Sequence, residues 1–260
     1  MPNMLLWKYS NVSIWGKNPH KLYEDKLMEY QLSSTSMAPL VEISLDNNEE
    51  IQIESGAMVY HNAAVKLEGK MNSNGKGGLG GALKALGRSI TSGESFFITK
   101  ASAIGANGKI SLAPASLGSI KEIFVGQEQW NLNTGAFLAS EDGVHYVMER
   151  QKLSGALFGG TGGLFVMKTQ GSGTMLISGY GDIVEIALDG TADFVVDNQH
   201  VLAWTDSLSY SIRVASGLFG FTTGEGLVNT FRGKGKIMIQ SRNVKALAEL
   251  IIPYLPRNNN

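Results

Sequence analysis

The sequence predicts an all-β protein of three repeated β-sandwich units with pseudo-threefold symmetry, followed by one C-terminal helix. The first observation is a Gly-rich stretch that ends in an alternating strand; it is written at residues 155–178 and 217–240, and more loosely at 87–112. The second is the alternation of apolar and polar residues in segments such as IQIE at 51–54, which has the two-residue period of a half-buried strand. The third is the content of 32 glycines, which suits short strands joined by tight turns.

Each predicted unit has the same three parts: two strands across a turn, the Gly-rich stretch, and a short closing strand. The closing strands begin at Gly108, Gly173 and Gly235, and the opening turns lie at Gly56, Gly135 and Gln199. This spacing places about 14 additional residues in the first unit, within 69–89, and makes them a loop insertion on a common scaffold. The predicted units span about 38–115, 119–179 and 181–242.

The residues after the third unit predict a helix over 243–252. Asn243 is a suitable N-cap, and Pro253 is a suitable end. Apolar residues recur at helical spacing at Val244, Leu247, Ala248 and Ile251. We expect this apolar face to dock on the β core.

The predicted units and the helix form a single domain of residues 28–252. Residues 1–27 are expected to be a leader or upstream extension outside the fold, because another methionine, Met28, directly precedes the first repeat. They lack the apolar segment and the cleavage site of a secretory signal. Residues 253–260 are expected to be a tail.

The composition argues against several classes of function. The formal net charge of -1 is unlike that of dedicated nucleic-acid binders, which carry an excess of Lys and Arg. The chain has no cysteine, which excludes disulfides, thiolate metal sites and cysteine nucleophiles. It also has no apolar run of about eighteen residues, the minimum for a membrane-spanning helix. We therefore expect a folded cytoplasmic protein.

One nucleotide-binding motif occurs, but in an unsuitable place. Gly75, Gly77 and Gly80 match the G-x-G-x-x-G pattern. A dinucleotide site requires a buried strand directly before these glycines, whereas residues 66–74 are polar and turn-like. The glycines also lie in the insertion of the first unit. We interpret them as part of a loop, and no cofactor is predicted.

The acid–base residues give no pattern that indicates an enzyme. The histidines do not have metal-binding spacings; they are His20, His61, His145 and His200. Glu94 and Glu225 occupy the same Gly-Glu step of the first and third units, where the second unit has Gly162. A glutamate repeated by internal symmetry more often pairs with backbone amides or a nearby lysine than acts in catalysis. We therefore predict neither a metal site nor catalytic residues.

Two groups of residues are candidates for partner or membrane contacts. The basic insertion places Lys76, Leu79, Leu83 and Lys84 where they could contact an anionic membrane surface, or form a solvated loop. Gly-flanked apolar tips in the second and third units contain Leu157, Phe158, Leu218, Phe219 and Phe221. Such tips are buried within the monomer or lie at an oligomer or partner surface.

Several ordered motifs together resemble one family. They include ESGAMVY, SGESFFITK, GKISLAPASLGSI and SGLFGFTTGEGLVNTFRGKGKIMIQSRN, and the match runs from about residue 29 to 252. The chain resembles the "altered inheritance of mitochondria" mitochondrial-biogenesis family, as a bacterial member. The resemblance implies a fold similar to the tryptophan RNA-binding attenuation protein (TRAP), a short double-stranded β-helix or β-sandwich unit. It also implies a link to membrane organisation, since eukaryotic relatives are associated with the mitochondrial inner membrane.

The resemblance supplies no catalytic residues, and RNA or tryptophan binding does not transfer on fold alone. We therefore expect a non-enzymatic binding or scaffold protein with a protein partner or self-association, and with peripheral membrane contact as a further candidate. The alternative is a small-molecule or RNA binder that uses clefts between the repeats.

Overall fold

The computed structural model describes residues 28–33, 38–72, 96–150, 165–215 and 226–256. Within these ranges the chain forms nineteen β-strands, one α-helix and three single-turn 3₁₀ helices. The prediction of an all-β protein with one C-terminal helix is therefore confirmed.

The strands fall into three consecutive segments after the first strand, β1 (Glu29–Leu32). The first segment contains β2 (Val41–Leu45), β3 (Glu50–Glu54), β4 (Met58–His61), β5 (Val65–Asn72), β6 (Phe96–Ala103) and β7 (Gly108–Leu112). The second contains β8 (Ile120–Val125), β9 (Trp130–Asn133), β10 (Phe137–Glu141), β11 (Val144–Arg150), β12 (Phe165–Gly171) and β13 (Gly173–Ser178). The third contains β14 (Ile183–Asp189), β15 (Phe194–Asp197), β16 (Val201–Thr205), β17 (Ser209–Val214), β18 (Leu227–Arg232) and β19 (Lys234–Gln240).

All three segments use the same antiparallel strand pairs. In the first segment, β7 lies between β2 and β4, and β6 lies between β3 and β5. In the second, β13 lies between β8 and β10, and β12 lies between β9 and β11. In the third, β19 lies between β14 and β16, and β18 lies between β15 and β17. Each segment thus contributes two layers of three strands.

The strands follow the alternation seen in the sequence. In β2, Val41, Ile43 and Leu45 are buried while the residues between them are half-buried, which is the pattern of a strand with one face on a core. A tight turn joins β6 and β7. Asn107 adopts a φ of 62° there, a conformation that asparagine tolerates better than most residues.

A β-bulge lies at the same place in the third strand of every segment. The pairing register with the last strand shifts between Met58 and Tyr60, between Phe137 and Ala139, and between Val201 and Ala203. A bulge bends its strand and re-aims the side chains that follow it. Because the shift recurs, the residues of the three strands can be matched one to one.

Three different side chains make the same hydrogen bond just after this bulge. The Asn62 Oδ1 accepts from the backbone N–H of Lys109 at 3.2 Å. In the second segment the Glu141 Oε2 accepts from Thr174 N–H at 2.6 Å, and in the third the Thr205 Oγ1 accepts from Lys236 N–H at 3.0 Å. An amide, a carboxylate and a hydroxyl oxygen thus accept from the same backbone N–H group in the three segments. In each segment this N–H belongs to the residue directly after the predicted closing glycine.

The segments are joined edge to edge. The second strand of one segment pairs antiparallel with the third strand of the next, as β3 with β10 and β9 with β16. Across each junction the later segment extends the core of the earlier one. The cluster of the first segment includes Leu138, Ala139 and Leu176 of the second, and the cluster of the second includes Leu202, Ala203 and Met238 of the third.

The corresponding third junction, between β15 and β4, is not formed among the described strands. The two existing junctions produce six-stranded sheets, whereas the remaining strands form one sheet of order β1-β2-β7-β4 and another of order β15-β18-β17. A ring with a pseudo-threefold axis, closed within one chain, would join these two sheets through β4 and β15. The described strand pairs do not include this junction.

The C-terminal helix, α1 (Val244–Ile251), begins where the sequence placed it but does not dock. The Asn243 side chain accepts a hydrogen bond from Ala246 N–H at 2.7 Å and caps the first turn. Every residue of the helix is exposed. The expectation that its apolar face packs on the β core was wrong, because an apolar stripe requires a partner but not one within the same chain.

Candidate functional site

The predicted contact residues lie outside the described ranges. Those in the insertion are Lys76, Leu79, Leu83 and Lys84; the apolar tips are Leu157, Phe158, Leu218, Phe219 and Phe221. Glu94 and Glu225 are also outside. The flanking strands form the hairpins β5–β6, β11–β12 and β17–β18, which occupy the same place in each segment.

The strand β4 is an exposed apolar surface that the sequence did not single out. All four of its residues are exposed, and Val59 is 50% accessible. Its counterparts beside the same bulge are Leu138 at 0% and Leu202 at 4%. The difference arises because β10 and β16 each have a neighbouring segment against their outer edge, whereas β4 has none among the described strands.

A polar cluster borders this strand. The Tyr60 hydroxyl donates to Glu42 Oε2 at 2.6 Å, and the Lys109 ammonium lies 2.8 Å from Glu42 Oε1. The Lys109 ammonium, followed by the Tyr60 hydroxyl, lowers the pKa of the Glu42 carboxyl. The same hydrogen bond raises the pKa of Tyr60. The carboxylate is therefore held in its charged form beside the β4 edge.

The strand β15 is the other exposed edge. Val195 on this strand is 47% accessible, whereas Val196 is buried in the core of the third segment. On the neighbouring strand, Asn229 is fully buried, and neither its Nδ2 nor its Oδ1 has a hydrogen-bond partner within the described chain. Such an amide is costly to bury without partners. The corresponding residue of the second segment is Met167, which carries no such cost.

The C-terminal helix presents a third exposed surface, and it is largely apolar. Val244 is 62% accessible and Leu250 is 67% accessible, and the 3₁₀ turn that follows exposes Ile252 and Tyr254. The polar side of the helix is narrow, and it carries an ion pair of Lys245 and Glu249 at 3.6 Å. A helix with one small polar side and a wide apolar side normally has a partner.

The base of the helix is fixed to the β structure through one histidine. His200 Nδ1 lies 2.7 Å from the Gln240 carbonyl oxygen, and His200 Nε2 lies 3.0 Å from Asn243 Nδ2. This histidine therefore links the 3₁₀ turn before β16 to the capping residue of the helix. Its contacts are structural, and they orient the helix without burying it.

The described ionisable groups do not gather into a reactive centre. Burial raises the pKa of Glu141, while the Thr174 N–H opposes that shift, and burial also raises the pKa of Glu54. The two belong to different strands, β10 and β3, and Glu141 has the structural hydrogen bond already described. Within the described ranges, no group of three His, Asp or Glu side chains is arranged to hold a metal ion.

The described part of the chain contains no helix with the length and hydropathy needed to cross a bilayer. The contact surfaces found are thus the β4 edge, the β15 edge and the C-terminal helix. Of these, only the helix had a sequence signal, its apolar spacing. The exposure of β4 had none, because Met58 and Val59 are as apolar as the residues that are buried at the same positions of β10 and β16.

These features define an all-β protein whose strand-paired segments are joined edge to edge and leave apolar edges and a helix exposed. Residues 30–242 match the family described as mitochondrial biogenesis AIM24, and the chain belongs to this family. The resemblance drawn from the sequence motifs is thereby confirmed.

Two relatives from Streptococcus pyogenes are similar over most of the chain. An uncharacterized protein from serotype M6 is 45% identical over 237 residues, which cover 91% of this chain and 94% of that protein. A protein with a known crystal structure is 42% identical with a TM-score of 0.72, and the match covers 88% of this chain and 100% of that one.

Proposed function

We propose that this protein is a non-enzymatic binding or scaffold protein of the cytoplasm, and that it contacts a membrane surface through its C-terminal helix. The observation that carries the proposal is the wide apolar face of α1 and of the turn after it, which the described part of the chain leaves uncovered. A helix of this kind can lie in the plane of a membrane interface with its apolar side among the acyl chains. The link to membrane organisation that the family resemblance implies also supports a membrane contact.

We further infer that the three segments are repeats of one TRAP-like β-sandwich unit. The support is the recurrence of the strand pairs, of the bulge, and of the hydrogen bond made by Asn62, Glu141 and Thr205. Repeats of one unit suit a scaffold protein, because each unit presents similar strand edges at a different place on the molecule, where partners can bind. Small-molecule or RNA binding in clefts between the repeats is the alternative.

Vesicle flotation tests the role of the helix. The wild-type chain is mixed with vesicles of phosphatidylcholine and phosphatidylglycerol, and so is the triple variant Leu247→Ser/Leu250→Ser/Ile251→Ser. We expect the wild type to float and the triple variant to remain in the dense fraction, because the apolar area that enters the interface is removed. The matched control is Lys245→Ser/Glu249→Ser, which makes the same kind of change on the polar side and should float like the wild type.

Two outcomes would count against the proposal. Equal flotation of the wild type and the triple variant would exclude the helix as the contact, and a further variant lacking residues 70–87 would then test the basic insertion. No flotation of the wild type would exclude membrane contact under these conditions. A gel shift that weakens steeply with salt would instead support the RNA-binding alternative.

A further inference from the structure

The two junctions inside the chain provide a template for a third. At the first junction Ala139 pairs with Ile53, and Ser140 pairs with Gln52. At the second, Ala203 pairs with Leu132, and Trp204 pairs with Asn131. At both junctions, the first residue after the bulge in the third strand of the later segment lies opposite the second strand of the earlier segment. The opposite residue, Ile53 or Leu132, has the same position in that second strand. The junction therefore has one register, used twice.

The strands β4 and β15 are the two remaining partners for such a junction. Each of these strands lies at the end of a sheet that has fewer than six strands. The free edge of each strand is the edge through which the corresponding strands of the other segments pair with a neighbouring segment. Applying the same register places Tyr60 opposite Val196 and His61 opposite Val195 in an antiparallel pair. The two incomplete sheets, β1-β2-β7-β4 and β15-β18-β17, would then combine as the six-stranded sheets do.

This pair is not made among the described strands of one chain. The same junction relates the first segment to the second and the second to the third. A further junction of the same kind can therefore form between β15 of one molecule and β4 of another, as in a head-to-tail assembly.

We propose that β15 of one copy of this protein pairs with β4 of a second copy, and that this head-to-tail junction assembles the chain into closed rings. Each copy carries one edge of each kind, so two copies are the smallest ring in which both edges are covered. The junction is antiparallel and continues the sheets of both molecules. The proposed junction deepens the scaffold function, because it names a second copy of the chain as the partner of the scaffold. Only this interpretation of the partner rests on the proposed function.

The side chains at the two edges suit this junction. Met58 and Val59 lie where the second segment buries Phe137 and Leu138, so a covering segment would remove a comparable apolar area from water. On the other edge Val195 is exposed and apolar. An uncovered apolar edge strand is a template for pairing with another chain, and native proteins normally protect such edges.

The polar residues near the two edges are also matched. In the first segment Tyr60 pairs with Ser111, whereas the equivalent pairs are Ala139 with Leu176 and Ala203 with Met238. In the third segment Val196 pairs with Asn229, where the second has Leu132 with Met167. The first segment has Ile53 with Thr99 at this place, so a polar residue behind the second strand is shared with the first internal junction. The pair of Tyr60 with Ser111 is more polar than both of its equivalents.

Disulfide trapping tests the register, since the chain has no cysteine of its own. His61→Cys and Val195→Cys are prepared as separate single variants, mixed, and oxidised mildly. We expect a disulfide-linked pair of about twice the 27.9 kDa chain mass, because opposite residues in an antiparallel pair bring their Cβ atoms within reach of a disulfide. The off-register mixture of His61→Cys with Asp197→Cys should lose this product, because diagonal neighbours lie too far apart.

The double variant His61→Cys/Val195→Cys distinguishes assembly from closure of one chain. We expect linked products of two or more chains under non-reducing conditions. A disulfide that forms only within one chain would overturn the proposal in favour of a closed monomer, and the absence of any disulfide would overturn the register. Neither result depends on vesicle flotation, so failure of the membrane proposal and failure of this one can be told apart.

Light scattering provides a second measurement without cysteine. We expect the wild-type protein to have a mass of at least two chains, and Val59→Glu to have the mass of one chain with an unchanged circular dichroism spectrum. The matched control Val184→Glu changes another exposed valine, on β14, and should retain the wild-type mass. A wild-type protein with the mass of one chain at all concentrations would contradict the proposed assembly.

Discussion

The strand β4 and its counterparts β10 and β16 have the same place in their segments, the same bulge and similar apolar sequences, yet only β4 is exposed. Phe137 is fully buried, whereas Met58 at the matching position is 39% accessible. The difference lies in what covers the outer edge: β3 covers β10, β9 covers β16, and no described strand covers β4. Leu138, next to Phe137, lies in the core cluster of the preceding segment, so the burial of this strand depends on a neighbouring segment as well as on the strand's own sequence.

The largest expected effect comes from truncating the matched residues Phe137 and Met58. We expect Phe137→Ala to lower the free energy of unfolding by about 3–5 kcal/mol, because it opens a cavity in a closed core. Met58→Ala should cost less than about 0.5 kcal/mol in dilute protein, since its side chain is largely in water. Urea unfolding followed by fluorescence measures both.

Protein concentration sharpens this comparison. If a second copy covers β4, the cost of Met58→Ala should rise with protein concentration, because assembly stabilises only the chain that binds. The cost of Phe137→Ala in the same titration serves as the internal reference. If Met58→Ala and Phe137→Ala lowered the free energy of unfolding equally in dilute protein, this result would contradict the difference in burial between the two side chains.

A second prediction concerns Asn229 and its counterpart Met167. We expect Asn229→Leu to raise the free energy of unfolding by about 1–2 kcal/mol, because it removes a buried amide without partners and keeps a side chain of nearly the same shape. Met167→Asn should lower the free energy of unfolding by a larger amount in the same urea measurement. A loss of stability in Asn229→Leu would contradict the cost assigned to the amide of Asn229.

The sequence predicted the local structure well and the contacts between segments poorly. The alternation in β2 and the Asn107 turn could be read directly, because strand period and positive φ depend on neighbouring residues. Membership of the family followed from several motifs in order. The exposure of Val59 and the undocked helix could not be predicted, since both depend on which distant surface is brought alongside.

The candidate site illustrates the same division. Residues chosen for their composition, such as Lys84 and Phe219, lie outside the described ranges, so those predictions stand untested. The shared hydrogen bond of Asn62, Glu141 and Thr205 had no sequence signal, because three different side chains perform it. Because any side chain with a suitably placed oxygen can accept this hydrogen bond, the three positions share no residue type that the sequence could reveal.

A third prediction uses the pH dependence of Glu141, the only carboxylate in that set. Burial raises the pKa of its carboxyl above the usual 4.5, so the folded state binds more protons than the unfolded state between these two values. The group therefore destabilises the fold at neutral pH, and this penalty is relieved as the pH falls through the raised pKa. Because the carboxyl is only half-buried, solvent screening keeps the effect below about 1 kcal/mol.

The control for Glu141 is the variant Glu141→Gln, whose amide oxygen can still accept from Thr174 N–H. We expect the difference in unfolding free energy between wild type and variant to move in favour of the wild type as the pH is lowered from neutral through the raised pKa toward the usual value of 4.5. Urea titrations at several pH values measure this difference. A constant difference across that range would show that the folded and unfolded pKa values of Glu141 are the same.

The smallest expected effect comes from Tyr60→Phe, on the exposed strand itself. The change removes the hydrogen bond to Glu42 but leaves the Lys109 ammonium, which is the larger cause of the lowered pKa of Glu42. We expect a change in unfolding free energy of about 0.5 kcal/mol or less, because the pair is open to solvent. Carboxyl NMR titration should show the pKa of Glu42 rising only part of the way to its usual value.

Tyr60 also has a matched comparison in the other segments, where alanine stands at 139 and 203. Those alanines pack against a preceding segment, whereas the Tyr60 side chain crosses β7 to reach Glu42 on β2. If a second copy pairs with β4, the hydroxyl becomes desolvated and its loss should cost more in concentrated protein than in dilute protein. A cost that stays the same at all concentrations would show that Tyr60 remains in water and that β4 is a free edge.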